Sequence, residues 1–205
     1  MILKVNSDSP EPDKIKIAAD MLAAGKLVVF PTETVYGLGA NACDKAAVAR
    51  VYEVKKRPDN KPLTLLIAGT EQLWQITGDQ ARENKDLKLV TDKFWPGPLT
   101  VIVNDLHLRK TGLRMPANKI ALELIKRAGV PVVVPSANIS GNPAPINAQQ
   151  VIEELGQAVD LILDGGSCRI GTASTVLDLT VRPYCILRQG ALSRSELLEA
   201  SLDIK

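Results

Sequence analysis

The sequence predicts a mixed α/β domain in which a sheet is covered by helices. Three observations carry this. Short, strongly apolar runs such as LVVF at 27–30 and LTLLIA at 63–68 are bounded by glycine and proline. They intermingle with segments of helical periodicity, and some strands follow one another with no helix between, as LTVIV precedes GLRMP. A purely parallel, doubly wound sheet needs a crossover between neighbouring strands, so the last observation disfavours it. At 205 residues, a single domain over residues 1–205 is expected. A chain of this size buries roughly 70% of the surface its extended form exposes, enough for a core without staples.

Each element follows from local signals. ILKV at 2–5 reads as a short strand, and SPEPDKIKIAADMLAAG as a helix begun near Ser9 or Pro10 and stopped by Gly25. LVVF is a buried strand. Asp44 caps a helix through Arg50, Val51 and Val54, whose Ala47, Val48 and Val51 have helical spacing. The basic loop KKRPDNKP leads into the strand LTLLIA, and residues 71–94 form two helical pieces broken near Gly78. After the breaker WPGP come the strands LTVIV and GLRMP. NKIALELIKRAG is a helix with apolar Ile120, Leu122, Leu124 and Ile125, ended by Gly129 and followed by the very apolar strand VPVVVP. SANISGNPAPIN must be loop. A helix from Asn147 to Leu155 stops at Gly156, VDLILDGG is a strand, STVLDLT and YCILRQG pair as late strands, and Ser193 with Glu196 forms a capping box for the last helix.

Composition excludes several classes. Twenty-five Lys and Arg against 23 Asp and Glu leave a net charge of +2, too small for a nucleic-acid scaffold, so any basic site is local. Cys43, Cys168 and Cys185 form no CxxC pair, which argues against a disulfide framework or thiolate zinc site and fits a reducing cytoplasm. No apolar run approaches the roughly 18 residues of a membrane span, so no membrane association is expected. The only histidine, His107 in NDLHLRK, rules out HExxH chemistry and reads as an exposed loop residue.

Three segments carry candidate chemistry. PTETVYGLGANA at 31–42 crowds Thr32, Glu33, Thr34 and Tyr36 onto a strand exit, with Gly37 and Gly39 permitting positive φ or close backbone approach. Lys55, Lys56, Arg57 and Lys61, held by Pro58 and Pro62 between a helix and a strand, suit a polyphosphate, and no GxxxxGK[ST] exists to form a P-loop instead. A solvated cluster favoured by the helix C-terminus is the plainer reading of those cations. VPSANISGNPAP at 134–145 offers Ser136, Asn138, Ser140 and Asn142 after a buried strand, groups able to hydrogen-bond ribose or phosphate. Arg114, Arg188, Ser174 and Thr175 are weaker additions. Together they suggest an anionic, nucleotide-like ligand with a small polar co-substrate.

The ordered set FPTETVYGLGANA, KKRPDNKPL, FWPGPLTVIV, LRMPAN, VPSANISG, STVLDLT and ILRQGAL resembles the YrdC/Sua5/TsaC family of threonylcarbamoyl-AMP synthases over residues 10–192. That resemblance implies a twisted open mixed sheet with flanking helices and one large basic cavity. It implies a nucleotidyltransferase that makes L-threonylcarbamoyladenylate and pyrophosphate from L-threonine, bicarbonate and ATP, with Mg²⁺ accompanying ATP. The product would feed t⁶A modification of tRNA through t⁶A-transferase proteins. Lys55, Arg57, Ser136 and Asn138 match the family's K-x-R and S-x-N pairs, with Lys55 and Arg57 expected as catalytic cations. Lys61 and Arg188 resemble ATP contacts. Thr34, Arg114, Val134 and Ser174 resemble threonine-binding positions. Leu66 stands where some relatives have histidine, and Lys110 and Ala144 replace a threonine and a serine. The alternatives are an RNA-binding module, taking tRNA or double-stranded RNA, and a paralogue with a different acyl or amino substrate.

Overall fold

The computed structural model describes residues 1–200 and 202–205. The first half of the chain holds β1 (Ile2–Lys4), α1 (Pro12–Ala23), β2 (Val28–Phe30), β3 (Gly37–Asn41), α2 (Lys45–Val54), β4 (Thr64–Leu66), α3 (Thr70–Thr77), α4 (Lys85–Phe94) and β5 (Leu99–Asn104). The second half holds β6 (Lys110–Arg114), α5 (Lys119–Ala128), β7 (Val132–Val133), α6 (Ala148–Leu155), β8 (Leu161–Asp164), β9 (Thr175–Asp178), β10 (Cys185–Arg188) and α7 (Arg194–Leu198).

Helix starts follow side-chain chemistry. Asp44 accepts the N–H groups of Ala46 and Ala47, Asn118 that of Ala121, Asn147 that of Gln150, and Ser193 forms the expected box with Glu196. Such caps each contribute about 1 kcal/mol. The first helix starts later than expected, at Pro12. Asn6 Oδ1 accepts the N–H groups of Asp8 and Ser9, both at 2.9 Å, which ties Ser9 into a turn, and Pro12 takes the first helical turn where its missing N–H costs nothing.

The strands join in the order β1-β8-β2-β3-β7-β4-β6-β5-β9-β10. Pairings β1–β8, β8–β2, β4–β6 and β5–β9 are parallel and the others antiparallel, so the sheet is mixed as expected. The run LVVF is buried on both faces because helices cover both. Val28 and Phe30 pack with Ile15, Leu22, Ile120 and Leu124 of α1 and α5, while Leu27 and Val29 pack with Ala47, Val51 and Val151 of α2 and α6. At the other end Leu99, Val101 and Leu113 pack with Leu73, Leu87, Val90 and Leu197 of α3, α4 and α7.

The segment GLGAN, read from sequence as part of a strand exit, is instead a central strand. β3 pairs with β2 on one side and β7 on the other. Its glycines serve close approach and not positive φ. A Cβ on Gly37 would sit 2.4 Å from Val134 Cγ1, and one on Gly39 2.7 Å from Phe30 Cε1. Among the described residues no helix is long and apolar enough to cross a membrane.

Candidate active site

Strand exits from across the sheet converge on a cavity of about 100 Å³ that opens to solvent. Thr32, Val35, Tyr36 and Gly37 come from the β2–β3 connection, Thr64 and Leu66 from β4, and Arg114 from β6. Thr100 on β5, Ser174 just before β9, Arg188 on β10 and Val134–Ser136 after β7 complete the wall, with Arg57 and Pro62 from the basic loop. Its charged lining consists of the arginines Arg57, Arg114 and Arg188, with no carboxylate among the described residues. That gives the cavity a positively charged wall.

The three guanidiniums are anchored alike. Arg57 donates from Nε to Lys61 O (3.2 Å) and from Nη2 to Pro62 O (2.9 Å). Arg188 donates from Nε (3.1 Å) and Nη2 (2.8 Å) to Ser174 O, and from Nη2 to Ser174 Oγ (3.1 Å). Arg114 donates from Nε to Gly97 O (3.1 Å) and from Nη2 to Thr34 Oγ1 (2.9 Å), with Nη2 also 2.8 Å from Glu33 Oε1. In each, one edge of the planar fork is fixed by protein and Nη1 has no protein partner among the described residues. Burial, followed by the charges of Arg114 and Arg57, lowers the pKa of Arg188, so these cations repel one another across the cavity. An anionic ligand relieves that repulsion.

The hydroxyls form ordered relays. Arg114 donates to Thr34 Oγ1, and Thr32 Oγ1 donates to Val35 O at 2.7 Å, so the 2.8 Å contact between the two threonines has Thr34 as donor. Thr34 is fully buried and reaches the cavity only through Arg114 and Thr32. Thr100 Oγ1 and Ser174 Oγ lie 2.9 Å apart and tie β5 to the Arg188 anchor.

Of the residues selected from sequence, Arg57, Arg114, Val134, Ser136, Ser174 and Arg188 line this cavity, and Thr34 lies directly behind Arg114. Lys55, Asn138 and Lys61 do not. Lys55 is 1% exposed, and its Nζ donates to Ser136 O, to Asn138 O at 2.6 Å and to Asn138 Oδ1 at 3.4 Å. Its ammonium is consumed in holding the loop after β7. Burial, then the neighbouring Arg57 charge, lowers its pKa to about 8. Asn138 is likewise turned inward, donating from Nδ2 to Ile139 O (2.9 Å) and Asn142 O (2.7 Å). Lys61 is exposed, and its carbonyl is the acceptor for Arg57 and for Tyr52 at 3.1 Å.

Sequence reasoning missed Thr64 and Thr100. A signal was present: both strands open with the same Pro-Leu-Thr tripeptide, at 62–64 and 98–100, and in both the threonine faces the cavity. His107 is exposed in the turn before β6, as expected. Mg²⁺ is expected with ATP and not in a site of the protein's own. No group of three or more His, Cys, Asp or Glu side chains able to hold a metal occurs among the described residues, so the protein offers no carboxylate cage there.

Comparison with known proteins agrees with this architecture. The Sua5/YciO/YrdC family model, described as telomere recombination, matches residues 20–190. A Pyrococcus abyssi threonylcarbamoyl-AMP synthase is 45% identical over 193 residues, covering 90% of this chain and 56% of that protein. A Bacillus subtilis threonylcarbamoyl-AMP synthase is 39% identical over 199 residues, covering 92% of this chain and 57% of that protein. The chain thus spans a little over half the length of these curated relatives. The crystal structure of P. abyssi Sua5 complexed with L-threonine superposes with a TM-score of 0.92 at 42% identity, covering 100% of this chain and 62% of that one. With the twisted mixed sheet, the ordered motifs and the family match in agreement, the chain belongs to the Sua5/YciO/YrdC family.

Proposed function

We propose that this chain catalyses formation of threonylcarbamoyl-AMP and pyrophosphate from L-threonine, bicarbonate and ATP, as a nucleotidyltransferase serving t⁶A modification of tRNA. The observation that carries the reading is the convergence of Arg57, Arg114 and Arg188, each with an unused Nη1, on one hydroxyl-lined cavity. The threonine-bound relative of the same fold supports an amino acid as one occupant.

In this reading the threonine amine takes up CO₂ from bicarbonate to give a carbamate. A carbamate oxygen then attacks the α-phosphorus of ATP, the bond to the β-phosphate oxygen breaks, and pyrophosphate leaves. No protein nucleophile is needed. Arg57 and Arg188 face the triphosphate, where charge accumulates on the leaving group, and preorganised donors there stabilise the transition state. Arg114 takes the amino-acid carboxylate through its free edge. Val35, Leu66 and Val134 supply the apolar wall for the threonine methyl, and the Thr32, Thr64, Thr100 and Ser136 hydroxyls serve its hydroxyl or the ribose. Bringing carbamate and ATP together in one cavity contributes a proximity advantage of up to several kcal/mol. Lys55, expected to act on phosphate, serves here by fixing the Ser136–Asn138 backbone. Mg²⁺ enters with the ATP phosphates, and no step is assigned to a protein-held metal.

The test is pyrophosphate release from ATP with threonine and bicarbonate each omitted in turn. Release requiring both, with threonylcarbamoyl adenylate seen by mass, is the expected result. Release independent of threonine overturns the reading.

A further inference from the structure

Arg114 differs from its two neighbours in what stands behind it. Among the described residues it is the only cavity arginine paired with a carboxylate, Glu33 Oε1 at 2.8 Å, with side chains 8% and 2% exposed. The acceptors of Arg57 and Arg188 are neutral carbonyl and hydroxyl oxygens. Glu33 does not line the cavity. Its main chain is strapped from behind, where Ile170 N–H donates to Glu33 O at 2.8 Å and Gly171 N–H to Thr34 O at 3.0 Å. Both carboxylate oxygens, Oε1 and Oε2, are buried without a hydrogen-bond partner among the described residues, so the contact with Arg114 is one of charge.

Such a pair is a poor device for stability alone. Removing two charges from water is costly, and well-packed apolar groups do as well. Its effect on the cavity is direct. A negative charge against Nη2 weakens the field that Arg114 adds to the cavity while leaving Nη1 as a short-range donor. Polyphosphate follows net positive field and is drawn to Arg57 and Arg188. A single carboxylate needs aligned donors more than net charge, and Arg114 supplies them.

We propose that Glu33 is a specificity-determining residue that divides the cavity, offsetting the charge of Arg114 so that this end favours an amino-acid carboxylate over phosphate. The inference rests on the assignment of Arg114 to the amino-acid carboxylate given above. Glu33→Gln tests it, since the side chain keeps its size and shape while the charge is gone. Titration calorimetry with inorganic phosphate should show binding to Glu33→Gln at least about tenfold tighter than to wild type, with Glu33→Asp, which keeps the charge, close to wild type. In turnover, phosphate should raise the apparent KM for threonine in Glu33→Gln but only that for ATP in wild type. A merely structural role would not move this competition. Equal phosphate affinity in Glu33→Gln and wild type overturns the proposal. Should Glu33→Gln fail to fold, the wild-type competition decides, because phosphate competing with threonine there overturns it equally. Absence of threonine-dependent turnover in wild type would defeat the functional reading instead, and phosphate calorimetry would still report the charge effect of Glu33.

Discussion

Gly37→Ala is the sharpest test of how the fold shapes the site. The φ of Gly37 lies outside the left-handed region, so alanine meets no backbone penalty and the whole effect is steric. The new Cβ would lie 2.4 Å from Val134 Cγ1. Carbon atoms prefer about 3.5–4.0 Å, so one side must yield by more than about 1 Å. Val134 cannot swing freely, since a β-branched side chain is stiff at χ1 and the strand before it is sandwiched between β3 and β4. Overpacking of this kind costs about 1–3 kcal/mol, and for a chain of this size each kcal/mol lowers Tm by about 2–4 °C. Val134 also lines the cavity, so its displacement should raise the KM for threonine. Urea unfolding with parallel turnover assays measures both effects. Adding Val134→Ala removes Cγ1, and the double-mutant cycle should show at least about 1 kcal/mol of favourable coupling between the two substitutions. A Gly37→Ala protein within about 0.5 kcal/mol of wild type, or additive behaviour in the cycle, would refute the close-approach argument.

Three further outcomes follow from the site. Arg57→Ala should lower turnover by about 10²-fold, the scale for losing one aimed donor, and steady-state activity within about twofold of wild type would remove Arg57 from the phosphate set. Arg114→Ala should raise the threonine KM while sparing the ATP KM, and the reverse split would exchange the two subsites. Lys55 sits near pKa 8 when folded, against about 10.4 when unfolded, so the unfolded chain holds the extra proton between these values. Its contribution to stability is therefore flat below about pH 8 and rises with pH toward about 10.4, by up to about 3 kcal/mol. Unfolding free energies across pH 7–10 should lose that rise in Lys55→Met, and parallel pH profiles for the two proteins would contradict it.

What could be read from sequence was what depends on neighbours in sequence. The caps at Asp44, Asn147 and Ser193 and the stop at Gly129 follow from a few adjacent residues, and each stands where expected. The buried runs were equally plain, because helices on both faces leave no polar alternation to obscure them. GLGAN was opaque for the opposite reason. Two glycines carry no β-propensity, and their purpose lies in Phe30 and in Val134, the latter remote along the chain. Thr64 and Thr100 were hidden in the same way, since a single threonine in an apolar strand reads as an ordinary β-former until the opposing wall is known.

The same limit separates the cations, and here side-chain shape explains the outcome. An ammonium is a compact charge with three donors, and Lys55 Nζ meets three oxygens of Ser136 and Asn138, so little remains to offer a ligand. A guanidinium is a planar fork with two usable edges. Arg57, Arg114 and Arg188 each give the Nε–Nη2 edge to the protein and retain Nη1. Being held on one edge is what aims the other, and preorganised donors cost no reorientation when charge develops. The Lys55–Arg57 pair therefore divides its labour: the lysine builds the loop that presents Ser136, and the arginine two residues on faces the cavity it helps to form. Nothing in the spelling of the motif distinguishes these roles, because both residues are basic and both lie at the end of α2. The distinction lies in the carbonyl oxygens each side chain reaches, and for Lys55 those belong to a loop more than eighty residues away.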